Sequence, residues 1–83
     1  MRLFDLSHNQ LPDVLSLVSA EDKVVLRQDA VYLMKTRQLE HLPCPVYCLA
    51  LDAAVRGVII SEPFTALHDR LWLDLVLQAK QQL

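Results

Sequence analysis

Pro45-Val-Tyr-Cys-Leu-Ala50 is the stretch that decides the fold. Read as a strand over residues 46–50, it places Val46, Cys48 and Ala50 on one face and Tyr47, Leu49 and Leu51 on the other, because strand side chains alternate. Both faces are apolar or nearly so. A strand buried on both faces belongs to a sheet sandwiched by helices, and such sheets are mostly parallel. The turn Pro43-Cys-Pro45 opens this strand, and residues 52–56 follow it as a short helix. Gly57 then stands where a left-handed C-cap is wanted.

Working outward, the same alternation of strand-length apolar runs and helix-period stretches holds along the chain, which is the α/β pattern. Arg2-Leu-Phe-Asp-Leu6 and Lys23-Val-Val-Leu-Arg27 read as the first two strands. Between them, Leu11, Val14, Leu15, Leu17 and Val18 share one face of a 100° wheel, so an amphipathic helix is expected there. A second helix is expected over residues 30–38, with Asp29 as its N-cap. Residues 58–60 and 64–67 both qualify as a further short strand, and the sequence does not choose between them. The expected architecture is one three-layer domain over residues 1–83, a mostly parallel sheet of four to five short strands with helices on both faces.

The closing helix, expected from Asp69 or Arg70 to Gln82, carries the strongest physical signal. Leu71, Trp72, Leu73, Leu75, Val76, Leu77 and Ala79 occupy an arc of about 240°, against the somewhat over ~100° that a core-facing helix needs. Contact on two sides is therefore expected, one with the sheet and one with another chain.

Composition supports docking over the other devices that steady a small domain. Eighty-three residues bury only a little over ~60% of the unfolded surface, so the core is marginal. The two cysteines, Cys44 and Cys48, would lie roughly 13 Å apart along a strand, too far for a disulfide. Free thiols, and the lack of a secretory leader before the first strand, point to the cytoplasm. His8, His41 and His68 share no ligand-like spacing, so neither metal nor cofactor is expected. Hydrophobic residues make up 53% of the chain, which is apolar for a lone domain. No apolar run has the ~18–20 residues of a membrane span. A net charge of −2 argues against gripping nucleic acid phosphates directly. With one glycine, a phosphate-cradling loop is nearly excluded.

Two candidate chemistries remain. Cys44, in the Pro-flanked loop with His41 three residues away, is the candidate for a reactive thiol; Cys48 sits mid-strand, where a structural role is expected. Asp52 and Arg56, spaced i, i+4, could pair along their helix or across a subunit boundary.

Three segments resemble the TusB/DsrH family in order along nearly the whole chain. Lys23-Val-Val-Leu-Arg-Gln-Asp-Ala-Val-Tyr32 is similar to its strand-to-helix stretch, which includes Asp29 and Tyr32. Pro45-Val-Tyr-Cys-Leu-Ala-Leu-Asp-Ala-Ala-Val-Arg-Gly57 resembles a second block with Asp52 before an Arg-Gly pair. Trp72-Leu-Asp-Leu-Val-Leu77, with Trp72, Leu73 and Leu77, is similar to the closing helix. Two departures stand out. Ala30 replaces the family's glycine, and Val14 occupies the position where some DsrH members carry a cysteine. The resemblance implies a DsrEFH-like fold and a non-catalytic subunit of a TusBCD-type heterohexamer with TusC- and TusD-like partners. That complex passes persulfide sulfur from TusA-like to TusE-like carriers for 2-thiolation of tRNA wobble uridine. The alternatives are a persulfide carrier using Cys44, a DsrEFH-type subunit in sulfur oxidation, or a homo-oligomer unrelated to sulfur.

Overall fold

The structure is a computed structural model that describes residues 1–36, 38–79 and 81–82. Its strands are β1 (Arg2–Leu6), β2 (Lys23–Leu26), β3 (Val46–Leu49), β4 (Thr65–Leu67) and β5 (Gln81–Gln82). All pairings are parallel, in the order β4-β3-β2-β1-β5. The register aligns side chains in rows: Phe4, Val24 and Val46 in one, Leu6, Leu26, Cys48 and Ala66 in another. Apart from Ala66, exposed at the sheet's edge, these rows face one core. Leu3, Val25, Leu49 and Leu67 face the opposite one. The two-faced reading of residues 46–49 therefore stands, with Ala50 and Leu51 starting α1 (Ala50–Val55) instead of ending the strand.

The layers follow from these faces. Two 3₁₀ helices, Asp13–Leu17 and Gln28–Thr36, lie with α1 on the larger core, and α2 (Asp69–Gln78) covers the smaller one alone. Helices on both faces of a parallel sheet give the expected three-layer α/β domain.

Several element readings are corrected. The first helix winds as 3₁₀, with three residues per turn. At that period Pro12, Leu15 and Val18 form one half-buried row, while Leu11, Val14 and Leu17 form a separate exposed row. The expected single apolar face is thus split by the tighter winding. The second helical stretch is also 3₁₀ and begins at Gln28, buried through Ala30, Val31, Leu33 and Met34. Of its expected extent, Arg37 lies outside the described residues.

Residues 64–67, not 58–60, supply the edge strand. The reason is the end of α1: Val58 N–H donates to the Ala53 carbonyl at 2.9 Å and Gly57 N–H to the Ala54 carbonyl at 3.2 Å, with Gly57 at φ +69. That is a Schellman closure, with Val58 folded back onto Ala53 in the core. Finally, the closing helix stops at Gln78, and Gln81–Gln82 pair with Arg2 and Leu3 of β1. Pairing with a free edge overrides the helix propensity of that glutamine-rich tail. Lys80 lies outside the described residues.

Candidate functional site

Parallel α/β sheets place their sites at the carboxyl ends of the strands, and the motif residues Asp29, Asp52 and Arg56 meet there. β2 hands over to its helix through Gln28, whose φ of 49° is left-handed. The Gln28 N–H donates to Asp52 Oδ2 at 2.8 Å. Arg56 Nε donates to Asp29 Oδ1 at 3.0 Å, and its Nη1 to the Asp52 carbonyl at 3.3 Å. The two segments are therefore laced together by three side chains. Asp29 serves as the partner of Arg56, not as the expected helix cap. Asp52 and Arg56 do not pair carboxylate to guanidinium along their helix; each reaches across to the β2 turn. Ala30 is buried within the 3₁₀ helix, so the left-handed residue of this turn is Gln28, two positions before the expected glycine. Tyr32, half-buried on the larger core, has the Lys35 ammonium 5.7 Å from its ring centroid.

α2 shows its two-sided character directly. Trp72, Leu75 and Val76 pack on the sheet, with Leu75 only 8% exposed. Leu73 and Leu77 face away, at 51% and 75% exposure. Leu51, Val55 and Ile59, on and just after α1, are also exposed.

The thiols occupy neither surface. Cys44 (7% exposed) and Cys48 (0%) are both buried and unpaired. Burial, and then the charge of Asp22, pushes the Cys44 thiol up from its ordinary value. Burial, with Asp52 adding to it, pushes Cys48 up to about 11. A reactive thiolate needs the reverse: exposure and a nearby cation.

Two further clusters escaped sequence reasoning. Arg2 donates from its backbone N–H to Asp22 Oδ1 at 3.1 Å and from Nη2 to Asp22 Oδ2 at 2.8 Å. Ser19 N–H adds a 2.9 Å bond to the same carboxylate. The Arg2 guanidinium, then the Ser19 N–H, hold the buried Asp22 well below the usual carboxylate range. On the α2 face, Arg27 Nε donates to Asp5 Oδ1 at 2.6 Å, and its guanidinium carbon stands 4.9 Å from the centroid of the Trp72 ring. The Trp72 Nε1–H is buried with no acceptor among the described residues. A signal for the Asp5–Arg27 pair existed: opposite charges stand near the carboxyl ends of two adjacent strands, Arg2–Leu6 and Lys23–Leu26.

The carboxyl end of β1 also opens on a cavity of about 280 Å³ that includes Asp5, Ser7, His8 and Val14. Among the described residues no group of three or more His, Cys, Asp or Glu could hold a metal ion. No helix among them is long and apolar enough to cross a membrane.

The model of a family described as DsrH like protein matches residues 5–82. The chain belongs to the DsrH-like family. Members of the DsrH-like family act within sulfur-relay complexes, and membership carries that role at family level. Among solved structures, protein Tm0979 of Thermotoga maritima, determined by solution NMR, is 28% identical. Its superposition has a TM-score of 0.63 and covers 93% of this chain and 92% of that one. No curated protein matches. The DsrH-like match spans the Gln28–Arg56 lacing, both thiols and α2, while Arg2 lies just outside it.

Proposed function

We propose that this chain is a non-catalytic docking subunit of a cytoplasmic TusBCD-type sulfur relay. It completes a hetero-oligomer with TusC- and TusD-like subunits that passes persulfide sulfur from TusA-like to TusE-like carriers, for 2-thiolation of the tRNA wobble uridine. The observation that carries this reading is α2, which is docked on its own sheet yet leaves Leu73 and Leu77 in solvent. A row of leucines on the outer side of a docked helix is costly to hold against water and favours cover by another chain. The non-catalytic half is supported by the thiols: a sulfur carrier needs an accessible thiolate, and burial disfavours it at both cysteines.

Co-expression with TusC- and TusD-like chains, followed by native mass spectrometry, tests the assembly. A hetero-oligomer containing this chain is expected. Incubation of the native complex with a persulfide donor, followed by intact mass, tests the chemistry. The expected result is no added sulfur atom on this subunit. An added sulfur atom that disappears in Cys44→Ser would overturn the non-catalytic assignment.

A further inference from the structure

The sheet ends at β4, and among the described residues no element covers its outer edge. Thr65 and Ala66 are exposed although β4 is fully paired with β3 on its inner side. An edge strand leaves backbone N–H and C=O groups unpaired, and proteins blunt it by shortness, charge, proline or a bulge. β4 is short, at three residues, but reads Thr-Ala-Leu, with neither a charged residue nor proline to block pairing.

Beside this edge, between β4 and α2, runs a groove of about 240 Å³. Tyr47, Leu67 and Leu75 form its apolar lining with Leu71, while Asp74 and Gln78 supply its polar part. Small-molecule sites usually offer ~300–1,000 Å³, so this groove suits one or two side chains better than a cofactor. Leu71 is 52% exposed. Asp74 forms no ion pair among the described residues.

The edge and the groove fit one kind of occupant. A strand added to β4 lies ~4.8 Å from it and sends every second side chain to the α2 face, toward the groove. We propose that β4 and this groove accept an extended segment of a partner chain. That segment presents an apolar side chain to Leu67 and Leu71 and a basic one, two residues on, to Asp74. The inference rests on the docking-subunit reading and names one of its docking surfaces. Charge speaks against a second copy as the occupant. The edge a copy would bring is Thr65-Ala66-Leu67, flanked by Glu62, Asp69 and Arg70, a stretch of net negative charge that complements Asp74 poorly.

The probe is an end-blocked peptide of Val-Thr-Lys-Thr repeats, which puts valine and lysine alternately on one face. Binding is followed by anisotropy and by amide chemical shifts of the full chain. The expected result is shifts centred on residues 65–67 and 71–78, with the Val-Thr-Glu-Thr counterpart about tenfold weaker or worse. Leu71→Asp abolishes binding, and Leu73→Asp, equally exposed on the helix's other side, leaves it unchanged. Unperturbed amides at 65–67 would overturn the proposal. So would equal binding of a peptide N-methylated along its pairing edge, which would leave a groove without strand addition. A concentration-dependent homodimer lost in Leu71→Asp would instead make a second copy the occupant. If the hetero-oligomer forms while the peptide fails, only this surface is overturned; if no hetero-oligomer forms, the docking-subunit reading itself fails.

Discussion

Gln28 carries the local cost of the turn at the end of β2. Its φ of 49° lies where a side chain with a Cβ costs roughly 1–2 kcal/mol. The Asp52 carboxylate offsets part of this by accepting the Gln28 N–H, a charge-assisted bond that holds the turn in place. Strain thus sits at Gln28 and not at Ala30, and two glycine substitutions separate these positions. Gln28→Gly removes the Cβ while keeping the N–H, so urea unfolding should show a stability unchanged or raised by up to ~1 kcal/mol. Ala30→Gly, inside a helix and buried, should lower it by about 1 kcal/mol or more. The opposite ranking would place the strain wrongly. Asp22 governs the acid limb of stability. Its carboxyl is held below the ordinary value in the folded state, while the unfolded chain titrates near ~3.9. Its contribution is therefore complete above that value and is lost progressively as pH falls below it. Asp22→Asn should melt lower than the parent at neutral pH, and the gap should narrow as thermal melts are taken from pH 6 toward pH 2. A constant gap would mean that the charge of Asp22 is irrelevant.

α2 is the element where folding and docking can be told apart by substitution. Leu75→Ala opens the smaller core and should cost ~2–5 kcal/mol of the chain's own stability. Leu73→Asp and Leu77→Asp lie on the solvent side, and each should leave the isolated chain within about 0.5 kcal/mol of the parent. In pull-downs with co-expressed partners the ranking should reverse, the two outer variants losing assembly while folding normally. That α2 is apolar well beyond its sheet-facing side was legible in the sequence, because its apolar arc is too wide for one contact. β1 to β3 were legible for a related reason: a buried parallel strand is apolar on both faces, and Val46, Tyr47, Cys48 and Leu49 meet that demand without help from context. What was hidden lies where tertiary pairing overrides local pattern. Residues 58–60 have the better strand composition, but the Gly57 closure turns Val58 into the core before any ladder can form. Gln81 and Gln82 have good helix propensity and pair with β1 regardless. The 3₁₀ winding of Asp13–Leu17 was illegible on a wheel that assumes 3.6 residues per turn. At the carboxyl end, the sequence singled out Asp29 as a cap and Asp52 with Arg56 as a pair, but their cross-strand lacing depends on the β2–β3 register, which only the folded sheet defines.

At the scale of the whole molecule, the smaller core is the weak layer. It consists of Leu3, Val25, Leu49, Leu67 and Leu75 under a single ten-residue helix, while three helical segments cover the other face. A domain of this length is marginal even when evenly packed. Here α2 also holds Leu71, Leu73 and Leu77 in solvent on its free sides. Half or more of each of these side chains stays in water in the isolated fold, and that part of their burial energy can be gained only against another chain. Stability and assembly are then linked by mass action: a partner that binds only the folded chain stabilises it by about 2.7 kcal/mol when present at a hundred times its dissociation constant. For a domain this small, each kcal/mol moves the melting midpoint by ~4–8 °C. If the proposed TusC- and TusD-like partners complete it, the isolated chain should therefore melt at least ~10 °C below the same chain in that complex, and its midpoint should climb with partner concentration. The double variant Leu73→Asp, Leu77→Asp should melt like the parent when alone and gain nothing from the partners. Differential scanning fluorimetry of a partner titration reads both outcomes. A parent midpoint that stays flat as partners are added would mean that the weak layer is not completed from outside.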